Sequence, residues 1–466
     1  MKASNNRPIG KGFNAEGGHS SSRGRRPRLL FLAWHFPPAN AVACIRTWNI
    51  AKHLSRLGWD IRVVTPDPSL WQHVDDPKRT EEDLRQEGII RITTGHHLAY
   101  LEPEHLKCAK RGIGRLYGGV IRKTARSLGL DKGVGWLSAA RRACSHMGPD
   151  DVDLILASGP PFASFTLAQQ LSQKLRRPYV LDYRDPWTAF PHSAHPARPA
   201  TARQERGLIQ SSSAVTVVTP SWASVLNRDF GVGEKLHVIT NGYDADELSQ
   251  VQPCAFGHSA IVYTGIFYPP KRVISPVMAA LQRLKATGNG RIPKWYFHYY
   301  GPHEEHFRRE AERFGIQDSV VLHGRVSRSE ALSAVRGASV AVVITSVFEQ
   351  ASLEDKGIMT GKIFDAVGLE TPTLLIAPQG SDIELLVDAG VACRFSGNEI
   401  SGMASYLADV LAGNRVCCGN PASYGWNHLA GKLDVVLRGV VQTRSDLTDQ
   451  QALKSGELSL KGISTL

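Results

Sequence analysis

The stretch from Arg28 to Pro66 reads RLLFLAWHFPPANAVACIRTWNIAKHLSRLGWDIRVVTP, and its reading decides the fold. Leu29–Trp34 is a short, unbroken apolar run, the pattern of a strand buried on both faces. Ala43–Leu57 spaces its apolar residues at helical intervals, and Ile61–Thr65 returns to a strand pattern closed by Pro66. Strand, helix and strand in that order make a βαβ unit, which implies a parallel sheet covered by helices. Further strand candidates are Ile89–Thr93, Leu154–Ala157, Tyr179–Asp182, Val215–Val218 and Leu236–Ile239, with helices such as Phe165–Lys174 between them. A second series begins with Ala260–Tyr263 and continues through Lys294–Tyr299, Val320–Leu322, Val340–Thr345 and Thr373–Ile376. The pattern predicts an α/β protein of two Rossmann-like, doubly wound domains, over 28–245 and 258–420, joined by the polar, turn-rich Asn241–His258.

The 466 residues suffice for two such domains. With 42% hydrophobic and 21% charged residues, the composition excludes disorder as the overall state. Seven cysteines, set apart except for the adjacent Cys417 and Cys418 and with no C-x-x-C pair, offer neither a zinc nor a redox motif, and no metal site is expected. The net charge of +12 comes from two segments of +6 each, residues 1–28 and 101–150. The remainder is balanced, so the basic pI does not mark a nucleic-acid binder. Residues 1–27, rich in Gly, Ser and Arg, read as a disordered tail, and residues 443–466 as a loose one. No secretory signal or membrane span is legible: the uncharged stretches Leu154–Gln173 and Leu208–Asn227 are laced with Ser, Thr and Gln. A cytoplasmic location is expected.

In doubly wound folds, ligands sit at the carboxyl ends of the strands, so motifs there matter most. His35 to Ala43 follows the first strand and leads into a helix carrying Arg46; with its two prolines it reads as an anion loop without glycines, or as a stiffened turn. Ser158-Gly159-Pro160-Pro161 follows another strand, and the next ends in Asp182-Tyr183-Arg184-Asp185-Pro186-Trp187. Carboxylates flanking an arginine beside a tryptophan orient sugar hydroxyls and stack a ring, or form an internal salt bridge. In the second half, Tyr263-Thr264-Gly265 is followed by Lys271 and Arg272, and a helix opens at Gly361-Lys362-Ile363-Phe364-Asp365. Helix-terminal amides plus a lysine suit a diphosphate, although a helix cap with an exposed lysine has the same pattern. The P-loop and G-x-G-x-x-G patterns are absent, which argues against an ATPase and a nicotinamide dehydrogenase.

Eight pieces, in order, resemble the family 4 glycosyltransferases of the two-domain GT-B fold with a "4-like" N-terminal domain. They are FPPANAVACIRTWNIAKHLSRLGWDIRVVT, DLILASGPPFASFTLAQQL, PYVLDYRDPW, VVTPSW, VITNGYDADEL, IVYTGIFYPPKR, LHGRVSRSEAL and GKIFDAVGLETPTLLIAPQGSDIELL. The resemblance runs from about Leu29 to Trp426. It implies an N-terminal acceptor domain, a C-terminal nucleotide-sugar domain and a helix over 421–442 that crosses back. The implied activity is sugar transfer from a nucleotide donor, which is a substrate and not a cofactor, with retained configuration and no obligatory metal. The family's phosphate-binding lysine falls on Lys271 and a preceding arginine on Ile266. Its Glu-x7-Glu signature falls on Gly357 and Asp365, so the first carboxylate is missing.

On this reading Gly265, Lys271, Arg272, Gly361, Lys362 and Asp365 bind the donor, with Lys362 supplying phosphate charge. His35, Asn40, Arg46, Ser158, Asp182, Arg184 and Asp185 border the acceptor, and no nucleophile is assigned. A glycan or lipid-linked acceptor of a surface polysaccharide or glycolipid pathway is expected. Arg111–Arg126, basic with one apolar face, reads as a membrane-surface helix or as one packed on the core. The rival readings are a non-catalytic sugar-binding or scaffold protein and a nucleotide-sugar epimerase.

Overall fold

The computed structural model describes residues 25–75, 77–97, 106–107, 118–121, 123–125, 131–189, 198–287, 292–388, 390, 392–414 and 421–463. Most of the 1–27 and 111–126 segments singled out above lies outside them.

The first sheet has seven parallel strands: β1 (Arg28–Ala33), β2 (Asp60–Pro66), β3 (Ile90–Thr94), β4 (Leu154–Gly159), β5 (Tyr179–Tyr183), β6 (Ala214–Val217) and β7 (Leu236–Val238). Their order is β3-β2-β1-β4-β5-β6-β7. The second has six: β8 (Ser259–Thr264), β9 (Trp295–Tyr300), β10 (Val320–Leu322), β11 (Val340–Ile344), β12 (Thr373–Ile376) and β13 (Ala392–Phe395), ordered β10-β9-β8-β11-β12-β13. Both orders reverse beside their first strand, which is the switch point of a doubly wound fold. The two Rossmann-like sheets with flanking helices form the GT-B architecture. Strand β13 was not foreseen; its four residues are all half-buried and carry Arg394, so it lacks the apolar run of its neighbours.

β1 shows why the runs read as they do. Its side chains alternate, so Leu30 and Leu32 enter one apolar cluster with Trp136, Phe165 and Leu181, while Leu29, Phe31 and Ala33 enter another with Ile50, Leu54 and Trp59. Both faces are covered, and an unbroken apolar strand results. The second cluster is completed by Trp426, Leu429, Leu433 and Leu437 of the last helix, Trp426–Ile463. That helix returns to the N-terminal sheet, where Trp59 Nε1 donates to Asp434 at 2.6 Å and Arg438 donates to Leu57 O at 2.8 Å. Its backbone stays helical to Ile463, past 443, where a loose tail was expected. The segment holds no proline, and its Arg, Gln, Lys, Glu, Leu and Ala residues let it extend an already nucleated helix.

Segments just past β6 touch segments just past β11 and β12. Ser221 N and Oγ donate to Asp382 at 2.7 and 2.8 Å, Trp222 Nε1 donates to Glu354 O at 2.8 Å, and Arg228 pairs with Glu354 at 3.0 Å. The carboxyl ends of the two sheets therefore face each other.

Candidate functional site

On the N-terminal side, Arg46 from the helix Val42–Arg56 meets Asp182 of β5 in a two-pronged ion pair, Nη2 to Oδ1 at 2.6 Å and Nε to Oδ2 at 3.1 Å. Ser158 Oγ and Thr216 Oγ1 donate to the same carboxylate, each at 2.8 Å. Burial alone would raise the Asp182 carboxyl; Arg46 and the two hydroxyls outweigh it and hold it below its ordinary value. Arg46 also donates to Thr240 O at 2.9 Å and Asn241 Oδ1 at 3.2 Å, and its guanidinium lies 5.5 Å from the Trp426 ring centroid. Asp182 is 0% and Arg46 3% exposed. Arg46, Ser158 and Asp182, expected to border the acceptor, thus form an internal brace that ties three strands, the first helix and the start of the interdomain linker. The salt-bridge reading is the one the structure gives for Asp182.

Arg184 lines the next layer. It donates through Nε to Gly159 O at 3.3 Å, through Nη1 to Ala43 O at 3.2 Å, and through Nη2 to Pro160 O. Nη2 also meets His35 Nδ1 at 3.3 Å. A guanidinium only donates, so His35 Nδ1 accepts, and a neutral imidazole carries its proton on Nε2. Asn40 is exposed and donates to Asp75 at 3.0 Å. Asp185 is half-buried and has no side-chain hydrogen bond among the described residues. Burial pushes its carboxyl up to about 6, opposed only by Arg184. Asp185 is the carboxylate of this cluster left open for a hydroxyl.

On the C-terminal side, the loop after β8 carries Lys271 and Arg272. Lys271 Nζ is engaged by Asp355, at 2.7 and 3.0 Å. Arg272 lies over the Tyr268 ring, 5.2 Å from its centroid, and its buried Nε has no hydrogen-bond partner. Lys362, second residue of the helix Gly361–Gly368, lays its ammonium against Gly265. A Cβ at Gly265 would run into Lys362 Nζ, and the φ of +145° there also favours glycine. Burial, and then the Arg272 charge, lower the Lys362 amine to about 8, with Asp365 pulling the other way. Asp365 itself is held by Arg328 at 2.9 and 3.2 Å, and Arg328 also binds Glu247 at 2.9 Å. Among the described residues Lys362 has no hydrogen-bond or ion-pair partner. The Thr360 side chain does not cap the helix, which leaves the amides near Gly361 open. Two neighbouring cations at an uncapped helix start form a receptor for an anion.

The structure brings Gly265, Arg272, Gly361 and Lys362 together, with Lys271 and Asp365 each held by an internal partner. It also explains Gly357: a Cβ there would run into the Trp222 indole, so the helix Pro220–Phe230 fills the space a glutamate would need. Sequence reasoning missed Thr216, Ser221, Trp222, Asp355 and Asp382. Three of these lie inside the quoted pieces VVTPSW and GSDIELL, but nothing in their spacing shows that they meet. Among the described residues no group of His, Cys, Asp and Glu is arranged to hold a metal ion, and no helix is long and apolar enough to cross a membrane.

The family model described as "Glycosyl transferase 4-like domain" matches residues 45–242. No curated protein matches the sequence. Similar solved structures include the sucrose-phosphate synthase of Thermosynechococcus elongatus, at 15% identity and TM-score 0.53 over 92% of this chain and 100% of that one. A glycosyltransferase of Rickettsia africae aligns at 13% identity and TM-score 0.53, over 91% and 99%. HepE of Anabaena in complex with UDP-glucose aligns at 12% identity and TM-score 0.53, over 90% and 99%. These likenesses speak to the fold; the family model speaks to the N-terminal half. The chain thus has the GT-B fold, and its residues 45–242 match the model of the glycosyl transferase 4-like domain.

Proposed function

We propose that this chain is a glycosyltransferase that moves a hexose from a nucleotide-sugar donor to a glycan or lipid-linked acceptor. The reading includes retained anomeric configuration, no metal, and a role in surface polysaccharide or glycolipid assembly at the cytoplasmic face of the plasma membrane. The observation that carries it is the Arg272–Lys362 pair, two neighbouring cations that make no ion pair among the described residues, at the carboxyl end of the second sheet. Sugar transfer from a nucleoside diphosphate needs fixed positive charge where the leaving diphosphate develops its own. Lys362, Arg272 and the amides at Gly361 supply it, and Lys271 joins them by exchanging Asp355 for a phosphate oxygen. Asp185, with its carboxyl near 6, is mostly ionised at neutral pH and receives the acceptor hydroxyl, while His35 Nε2–H donates to a sugar oxygen. HepE was solved with UDP-glucose, which makes uridine diphosphate the first probe.

The test is thermal stability against uridine, guanosine, adenosine and thymidine diphosphates. A ligand at 100 times its Kd stabilises by about 2.7 kcal/mol. One nucleotide is expected to raise Tm, and Lys362→Ala to abolish the response while remaining folded. A folded protein that responds to none refutes the donor site. One second reading has its own support: Trp222 on Gly357 and Asp355 on Lys271 also suit a non-catalytic sugar-binding protein. That protein binds donor without turnover, whereas the enzyme releases nucleoside diphosphate with a suitable acceptor.

A further inference from the structure

An open groove of about 550 Å³ lies at the opposite end of the N-terminal sheet, where β1 and β2 begin. Arg25, Arg26, Arg28, Arg56 and Arg85 line it, with Asp60 among them. Helix ends attract cations, and the helices Val42–Arg56 and Pro77–Gln86 both terminate here, which accounts for Arg56 and Arg85. It does not account for Arg25, Arg26 and Arg28, which arrive on the extended chain entering β1. The neighbouring carboxylates are already in use. Asp153 serves both Arg25, at 2.9 Å, and Arg28, at 3.3 Å. Glu87 and Asp246 both serve Arg56, each at 2.6 Å. Arg26 and Arg85 are exposed, and their side chains make no hydrogen bond or ion pair among the described residues. Of the two lining carboxylates Glu87 is taken by Arg56, and Asp60 alone faces the remaining arginines, so positive charge prevails across the groove.

We propose that this groove is a phosphate-binding site, separate from the interdomain site and independent of the sugar-transfer reading. Guanidinium forks match phosphate oxygens two at a time, and the groove has room for a phosphate with its substituent. The phosphate belongs to a lipid headgroup or to a soluble phosphate ester, and one experiment separates the two sources.

The full chain is treated with phenylglyoxal, and modification of Arg26 and Arg85 is followed peptide by peptide by mass spectrometry. Inorganic phosphate is one probe; vesicles of phosphatidylcholine with and without phosphatidylglycerol are the other. At least one probe is expected to slow both arginines about fivefold, the factor for one guanidinium at an anionic surface, while Arg308 and Arg309 on the second domain keep their rates. Protection by inorganic phosphate identifies a soluble ester; protection only by phosphatidylglycerol vesicles identifies a headgroup. Binding of the protecting probe is also read directly, by titration calorimetry for inorganic phosphate or by co-sedimentation for vesicles, and the Arg26→Ser/Arg85→Ser variant is expected to bind it at least about fivefold more weakly, with an unchanged Tm and an unchanged nucleotide response. The proposal is overturned if neither probe protects, if Arg308 and Arg309 are slowed equally, or if the double variant still binds as the parent does.

Discussion

At the scale of single residues, Lys362 concentrates the argument. A half-buried amine beside Arg272 is costly to charge, which lowers it to about 8, below the ordinary lysine range. A diphosphate reverses that balance, because its negative charge favours the ammonium. Binding must then take up a proton above about pH 8, and affinity falls as pH rises, by up to about tenfold per unit, until the bound-state pKa is reached. Lys362→Arg keeps its charge throughout, so its affinity stays flat between about pH 7 and 9.5. Titration calorimetry in buffers of different ionisation enthalpy reads both quantities. A wild-type profile as flat as that of the arginine variant would remove Lys362 from the donor site.

At the scale of elements, the helix Pro220–Phe230 docks the first domain onto the second through Ser221, Trp222 and Arg228. The contact depends on Gly357, whose missing side chain is the seat of the Trp222 indole. Gly357→Ala is expected to displace Trp222, costing about 1–3 kcal/mol as an overpacked contact does, and to loosen the domains. Small-angle scattering should then show a larger radius of gyration for the variant than for the parent. An unchanged radius with an unchanged Tm would mean that the docking is incidental. Here the limits of the sequence are physical. The strand runs and the loops at their ends were legible because burial on both faces leaves an unbroken apolar signature. The partners of those loops were not, because Arg46 and Asp182, or Ser221 and Asp382, lie more than a hundred residues apart and no local periodicity couples them. Asp182 looked like a ligand for that reason: an acidic residue at a strand end has the same spelling whether it faces a sugar or a buried arginine.

At the scale of the whole molecule, the last helix decides whether the first domain holds together. Trp426, Leu429, Leu433 and Leu437 close an apolar face that otherwise presents Ile50, Leu54 and Trp59 to solvent. Burial of large apolar side chains contributes about 1.5–3 kcal/mol each, so the loss of four approaches the whole stability of an ordinary domain, about 5–15 kcal/mol. A chain ending at Gly425 is therefore expected to be insoluble or to unfold well below the parent Tm. A chain ending at Arg444 keeps all four contacts, together with Asp434 on Trp59 and Arg438 on Leu57, and should melt within a few degrees of the parent. Calorimetry on the two truncations makes the comparison. If the shorter chain matched the parent, the returning helix would be a passenger, and the N-terminal sheet would have to be stable with that face exposed.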